Sequence, residues 1–358
     1  MIPTEPIGSI PRPPELIAAM AEFRAGRLAY TEIEPLYAAA VADTVRRFEA
    51  TGSPVITDGE QRKSHNFASY CVDGLPNFVN DGFHLRFVGH ERVWPRLTSG
   101  PFAFMRRGAE FLAETQRLSN RQAKQAVISP SAVSLFYPAR ELPDYSRDAF
   151  IEDLLREHES DIRSCLEMGA HTVQVDFTEG RLAGKLDPSG GLLNSFIGLN
   201  NLALARFNSV ERRRIGVHTC PGGDRDSTHS ADVDYSALLP SLFELMAGRF
   251  FIALAREPDR RRVLALVARY LKPEQVAYVG VIDPLDPRVE TPEEVRDRVL
   301  EAAEYIPLSQ LGTTDDCGFA PFSDDLSTSR ETAFAKIEAR VVGTRMASQQ
   351  LEARWSLQ

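Results

Sequence analysis

The sequence has few cysteines, no long apolar run and no excess of basic residues. Four of its 358 residues are cysteine, which is too few for a secreted fold held by disulfides. No run approaches the roughly 18 apolar residues of a membrane span, and the first residues lack the basic start and apolar stretch of a signal peptide. The formal net charge is −9, with Lys and Arg scattered among the acids, which argues against nucleic-acid binding. We therefore expect a cytoplasmic protein that contacts neither membrane nor nucleic acid, and whose reduced cysteines are free to bind metal.

The chain does contain a regular alternation of short apolar segments and longer helical patterns. Several of the short segments lack strict alternation of apolar and polar residues, which suits parallel strands buried on both faces. A helix is predicted over residues 147–168, and another starts at a capping box that begins with Thr291. The eight predicted strands are 6–10, 54–58, 126–130, 172–177, 215–220, 249–254, 276–283 and 311–316. Eight strands that alternate with helices predict an α/β fold, a single (β/α)8 TIM barrel over residues 1–358.

The interval between the second and third predicted strands is too long for one helix. Residues 61–100 contain aromatic and apolar side chains interrupted by glycine and proline. We interpret this stretch as an insertion after strand 2 that lies over the barrel mouth and contains a hairpin.

Reactive side chains follow or end five of the predicted strands. In a TIM barrel the active site forms at the carboxyl ends of the strands, whereas a purely structural rim would carry aliphatic residues. The candidates are Glu60, Asp176, His218, Cys220, Asp283 and Cys317. We expect these side chains to converge on one rim, with Asp283 as the candidate catalytic acid.

His218, Cys220 and Cys317 form a candidate zinc site. His218 and Cys220 are two apart on one strand, so their side chains point the same way. Zinc favours Cys sulfur and His nitrogen, and a catalytic zinc keeps one position open for substrate. A thiol bound there would lose its proton and become a nucleophile at neutral pH. The alternative interpretation is a chance pair of buried thiols beside a hydrogen-bonded histidine.

Other reactive side chains have simpler explanations. His158 and Cys165 lie on the apolar face of a predicted helix, and we expect them to be core residues. The loop that follows the zinc strand carries Arg225 and His229 among glycines and polar residues. We interpret it as a loop that contacts the substrate.

Six motifs in order resemble the catalytic barrel of the cobalamin-independent methionine synthases and the related zinc-dependent thiol alkyltransferases. They are residues 6–12, 57–60, 173–176, 217–220, 286–289 and 316–318. The resemblance implies zinc bound by His218, Cys220 and Cys317. It also implies that Ile7 and Ser9 hold the carboxylate of homocysteine, and that Glu60 and Asp176 bind its amino group.

The sequence departs from that family at three places. A glutamate that is the family's fourth zinc ligand is missing from the strand at 249–255. A histidine that transfers protons in the methionine synthases is replaced by Leu285. The tryptophan that stacks on folate falls near residues 135–137, where Phe136 or Tyr137 would have to take its place. All three differences leave the predicted thiol-binding residues intact.

The sequence therefore predicts zinc-dependent transfer of a methyl or alkyl group to a thiol. The favoured case is homocysteine methylation to methionine. The alternative is a thiol transferase that opens an epoxide or uses another non-folate electrophile, such as a methylated carrier protein. A non-catalytic binding barrel and a decarboxylase-type barrel are further alternatives. The expected partners are a small-molecule thiol and a methyl or alkyl donor, and the sequence is compatible with a homo-oligomer.

Overall fold

A computed structural model of the chain describes residues 1–355. The described strands are β1 (Val55–Ile56), β2 (Phe78–Val79), β3 (His84–Arg86), β4 (Glu91–Val93), β5 (Arg96–Leu97), β6 (Gln122–Ile128), β7 (Thr172–Asp176), β8 (Ile215–Thr219), β9 (Gly223–Asp224), β10 (Ser227–Thr228), β11 (Arg249–Ile252), β12 (Val276–Ile282) and β13 (Leu311–Asp315). The helices are α1 (Pro14–Arg24), α2 (Tyr30–Ala50), α3 (Gly108–Leu118), α4 (Pro130–Ser134), α5 (Arg147–Glu167), α6 (Glu179–Leu186), α7 (Gly191–Leu204), α8 (Ser209–Arg212), α9 (Tyr235–Leu242), α10 (Arg260–Tyr270), α11 (Pro292–Ala303) and α12 (Arg330–Trp355).

Seven parallel strands of this described part form one curved sheet in the order β1-β6-β7-β8-β11-β12-β13. Each strand pairs with the next barrel strand along the chain, and helices lie between them. The side chains of β7 and β8 are buried along their whole length, as in a parallel sheet covered on both faces. The predicted α/β barrel fold is confirmed.

The N-terminal segment takes the place of the eighth strand. Thr4 makes an isolated parallel bridge to Thr313 of β13, and the Glu5 N–H donates to the Thr313 carbonyl at 3.0 Å. On its other side the Ile10 N–H donates to the Gly59 carbonyl at 3.0 Å, just after β1. The prediction of a regular strand over 6–10 is wrong, because Pro3, Pro6 and Pro11 provide no N–H for a continuous ladder.

The third predicted strand begins earlier than expected. Strand β6 covers Gln122–Ile128 rather than 126–130, and α4 already starts at Pro130. Ser129 caps that helix, because its side chain accepts the Ala132 N–H. Lys124 is buried inside this strand. Because it interrupts the apolar residues, the sequence pattern does not reveal where the strand begins.

Helix ends follow the signals in the sequence. The Thr291 side chain accepts the Glu294 N–H at 3.2 Å, and the Glu294 carboxylate accepts the Thr291 N–H at 2.7 Å, so the predicted capping box is present. Helix α5 is capped by Ser146 and buries Phe150, Leu154 and other apolar residues. Each fully buried Leu or Phe contributes about 1.5–3 kcal/mol relative to an exposed one, which fixes this helix against the sheet.

Residues 61–100 form two small antiparallel pairs, β2 with β5 and β3 with β4. We call residues 84–93, which contain β3 and β4, the roof hairpin. The Arg92 guanidinium joins it to two other loops, with Nε 2.6 Å from Asp224 and Nη2 2.9 Å from Asp324. The hairpin is therefore fixed to the loops that follow β8 and β13.

Helices of membrane-spanning length and apolarity do not occur within residues 1–355.

Candidate active site

A cavity lies at the carboxyl ends of the barrel strands. Its volume is about 440 Å³ when the solvent at its mouth is included. Seven of the nine residues that the sequence singles out as site residues line it, namely Ile7, Ser9, Glu60, Asp176, His218, Cys220 and Cys317. The structure thus brings together side chains from distant parts of the chain.

His218, Cys220 and Cys317 form a compact group that could hold a metal ion. One ligand atom from each residue lies within 4.8 Å of the other two, and the two sulfurs are 3.4 Å apart. Within residues 1–355 neither ring nitrogen of His218 has a hydrogen-bond partner, although the residue is only 2% exposed. Buried polar atoms normally have partners, so an imidazole without one fits a metal ligand.

The electrostatics of the two thiols also fit a cation. The hydrogen bond with Cys220, and then burial, raise the pKa of Cys317 well above its usual range. Two buried thiols this close cannot both ionise without a positive charge beside them. A metal ion supplies that charge, and thiolate is the form in which cysteine binds metals.

The neighbouring backbone fixes both cysteines. The Gly222 N–H donates to the Cys220 sulfur at 3.3 Å. Asp316 precedes Cys317 and accepts backbone N–H groups of Leu254 and Ala255, each at 2.7 Å. The loop after β13 is therefore bonded to the loop after β11, and this places Cys317 opposite Cys220.

Among the described residues, no carboxylate joins this metal-ligating group. Glu257, beyond β11, has its carboxylate 3.3 Å from Arg181. Glu244 is paired with Lys272 at 2.9 Å and is solvent-exposed. The position at which the family carries its glutamate is therefore not filled from nearby in the chain.

Glu60 and Asp176 are both buried and line the same cavity. The Glu60 Oε1 accepts from Lys63 Nζ at 2.9 Å, while the buried Oε2 has no partner in the described part of the chain. Burial raises the pKa of Asp176 to about 6, and the Glu60 charge acts in the same direction. Two carboxylates and one ammonium leave a net charge of −1, which suits one bound cation.

The N-terminal segment lines the cavity through Ile7 and Ser9. The Ile7 carbonyl accepts from Gln174 Nε2 at 3.1 Å, and the Ser9 hydroxyl oxygen accepts the Ala320 N–H at 3.3 Å. A Cβ at Gly318 would lie 2.0 Å from the Ser9 Oγ. Only glycine allows the loop after Cys317 to approach Ser9 this closely.

Two predicted site residues lie outside this cavity. Phe136 is fully buried and packs against Phe78 and Trp94. Asp283 lines a second cavity, on the other side of Cys317. Its carboxylate accepts the Leu285 N–H at 2.9 Å and lies 3.9 Å from Arg256.

The structure adds residues that the sequence did not single out as site residues. The cavity roof is apolar and consists of Phe67, Leu85, Phe87 and Phe322. The aromatic content of residues 61–100 was the available signal for this roof. Lys63 follows Glu60 by three residues and pairs with it, but nothing in the sequence showed that its side chain turns back.

The other two histidines named in the sequence analysis, His158 and His229, differ in their surroundings. His229 lines the cavity, and its ring meets the Phe87 ring edge-on with the ring centres 5.5 Å apart. Arg225 does not line the cavity, and its guanidinium lies 3.6 Å from the Asp324 carboxylate. His158 is fully buried, its Nε2 is 2.6 Å from the Ile128 carbonyl, and burial lowers its pKa to about 4. Its predicted core position is confirmed, as is that of Cys165.

Comparisons with known proteins agree on one family. The model of the family described as cobalamin-independent synthase, catalytic domain, matches residues 2–336. The 5-methyltetrahydropteroyltriglutamate–homocysteine methyltransferase of Vibrio vulnificus is 25% identical over 326 residues, which are 89% of this chain and 39% of that protein. A methionine synthase of Saccharolobus islandicus is 24% identical over 360 residues, 98% of this chain and 96% of its own length. The chain thus spans about two fifths of the Vibrio relatives it matches.

Solved structures show the same fold. A B12-independent methionine synthase from Shewanella sp. W3-18-1 superposes with a TM-score of 0.77 at 17% identity, covering 99% of both chains. A protein from Listeria monocytogenes, described as a putative vitamin-B12-independent methionine synthase, gives 0.72 at 21% identity, covering 97% of this chain and 99% of its own. With the fold, the metal-ligating group and the family match together, the chain belongs to the cobalamin-independent synthase catalytic-domain family.

Proposed function

We propose that this protein transfers a methyl or alkyl group to the sulfur of a thiol amino acid, with homocysteine methylation to methionine as the specific reaction. The observation that carries this proposal is the shared cavity. Side chains suited to a metal and side chains suited to an ammonium group line the same space. Curated relatives named methionine synthase support the same reaction.

Zinc is the proposed metal, because the donor set of one imidazole and two thiols is the one that zinc prefers. His218, Cys220 and Cys317 would hold it. When bound, the ion would lower the pKa of a coordinated thiol and so provide a sulfur nucleophile at neutral pH. With three protein ligands, a position remains for the substrate.

The chain's own residues would orient the amino acid. Glu60 and Asp176 provide the negative charge that a desolvated ammonium group needs. Ser9 and the backbone near Ile7 line the adjoining wall, where the substrate carboxylate would lie. With the amino and carboxylate groups of its α-carbon held, the substrate would extend its sulfur to His218, Cys220 and Cys317, which replaces a chance encounter by a fixed geometry.

The apolar roof would exclude water from the reacting sulfur. Phe87 and Leu85 of the roof hairpin face the cavity, and they offer a surface compatible with an alkyl group. We propose that barrel and hairpin work as one catalytic unit within residues 1–358.

A second candidate is transfer from a non-folate electrophile. It is favoured by Phe136, which lies in the aromatic core instead of lining the cavity. Leu285, where the methionine synthases carry a proton-transferring histidine, points in the same direction. In this candidate the thiol site is unchanged and only the donor differs.

Zinc content and thiol-induced proton release would test the proposal. Wild type, Cys220→Ser and Cys317→Ser would be compared, with Cys165→Ser as the matched control because its thiol is buried in the core and does not line the cavity. We expect about one zinc per wild-type chain, a large loss in both site variants and no loss in the control. If the site variants hold as much zinc as wild type, or if wild type releases no proton with homocysteine, the proposal fails.

A further inference from the structure

Arg12 joins two loops of the active site through one buried guanidinium. The residue is 2% exposed. Its Nη2 donates to the Glu60 carbonyl at 2.6 Å and to the Lys63 carbonyl at 3.0 Å. Its Nη1 donates to the Ala320 carbonyl at 3.0 Å. The loop that carries the cavity carboxylate and the loop that follows Cys317 are thus held by the same side chain.

Glu60 has a backbone conformation that needs such support. Its φ is +58°, and that of the preceding Gly59 is +67°. Glycine adopts left-handed values readily, but a glutamate does so only where its surroundings hold it there. The Asp58 carboxylate accepts the Glu60 N–H at 3.0 Å, and Arg12 holds the carbonyl on the other side of the residue. Both ends of the strained residue are therefore fixed.

This conformation decides where the Glu60 carboxylate lies. The side chain leaves the turn towards the cavity, where Oε2 has no partner among the described residues. If the peptide after Glu60 relaxed to an extended conformation, the carboxylate would leave its position in the cavity that Asp176 also lines. That change would not directly alter the candidate metal site formed by His218, Cys220 and Cys317.

We propose that Arg12 is a positioning residue for the amino-group end of the substrate. This inference rests on the proposed function and adds a residue that determines substrate specificity. Arg12 acts through Glu60 and touches no substrate atom. We therefore expect replacement of Arg12 to weaken recognition of the substrate ammonium group more than it weakens thiol binding.

The test compares two thiols that differ only in the amino group, homocysteine and 4-mercaptobutanoate. Their dissociation constants are measured by thiol-induced proton release on zinc-loaded wild type, Arg12→Lys, Arg12→Gln, Glu60→Gln and the double variant Arg12→Lys/Glu60→Gln. We expect Arg12→Lys to weaken homocysteine binding by about tenfold, which corresponds to about 1.4 kcal/mol. Binding of 4-mercaptobutanoate should change less than twofold, and the effects of Arg12→Lys and Glu60→Gln should not add, because both act on one contact.

The opposing results are equally definite. If Arg12→Lys weakens both thiols alike, or adds fully to Glu60→Gln, Arg12 does not act through Glu60 and the inference is rejected. It is also rejected if neither Arg12 variant retains the zinc content and circular dichroism of wild type, since Arg12 is then a residue of the fold. If wild type binds neither thiol, the proposed function itself fails, an outcome that differs visibly from a loss of discrimination alone.

Discussion

Glu60 and Lys63 form a fully buried ion pair at the cavity floor, with Oε1 and Nζ 2.9 Å apart. The ammonium group also lies 4.6 Å from the centre of the Tyr70 ring and 3.3 Å from the Ala126 carbonyl. Such a pair is costly to bury but far more costly to break from one side. Lys63 is therefore the buried counter-charge of Glu60 at the cavity.

Removing that counter-charge should destabilise the fold. Lys63→Met leaves the Glu60 carboxylate buried and unpaired, and we expect a loss of about 3–5 kcal/mol in the free energy of unfolding. The double variant Lys63→Met/Glu60→Gln should recover a large part of that loss, because no unpaired charge remains. Urea unfolding measures both. A double variant no more stable than Lys63→Met would contradict this account of the pair.

The roof hairpin should loosen when its charged contacts are removed. Arg92 donates to Asp224 and Asp324, and hydrogen bonds to charged groups contribute about 1.5–3 kcal/mol each. We expect Arg92→Ala to speed amide hydrogen exchange in residues 84–93 by one to two orders of magnitude, since local opening becomes easier. Arg96→Ala, which removes an exposed pair with Asp81, is the matched control and should change exchange little. Equal effects of the two variants would show that the Arg92 contacts do not hold the hairpin.

Asp161 should give the stability of the fold a measurable pH dependence. Burial raises its pKa to about 6, above the unfolded value of about 3.9. Between these pH values the folded state keeps a proton on Asp161 that the unfolded state has lost. The stabilisation of the folded state that results is complete below about pH 4 and is lost as the pH rises through about 6. Relative to Asp161→Asn, the wild-type free energy of unfolding should fall by up to about 3 kcal/mol over that range. A difference between the two proteins that is constant from pH 4 to 7 would refute this assignment.

Gly222 should not tolerate a side chain, for a reason other than its backbone conformation. A Cβ there would lie 1.7 Å from the His229 Nε2, and φ is +71°. Gly190 has a similar φ of +83° with nothing within 4 Å of its Cβ position. Gly190→Ala therefore reports the cost of the left-handed conformation alone, about 1–2 kcal/mol. We expect Gly222→Ala to cost more than that in thermal unfolding and to lower zinc affinity, because the loop after Cys220 must move.

Much of the architecture could be predicted from the sequence because local signals decide it. Apolar runs identified the barrel strands, and the capping box at Thr291 identified the start of α11. The predictions failed where local pattern and tertiary structure disagree. Prolines prevent a regular ladder in the N-terminal segment, and the buried Lys124, bonded to the Pro6 carbonyl at 2.8 Å, conceals the start of β6.

The site could be predicted in part for the same reason. The position of a residue at a strand end follows from the fold, so the three residues of the candidate metal site could be located by number. Side-chain direction depends on packing that no single sequence displays. Neither the return of Lys63 to Glu60, the bridging role of Arg12, nor the burial of Phe136 among aromatic rings could be foreseen, because each depends on contacts between distant segments.

X-ray absorption at the zinc edge of the metal-loaded protein tests the central claim most directly. The account predicts two sulfur neighbours at about 2.3 Å together with nitrogen or oxygen neighbours. Adding homocysteine should raise the sulfur count from two to three, since the thiol occupies the position that the protein leaves open. A sulfur count that stays at two while homocysteine is bound would contradict thiol activation at this site.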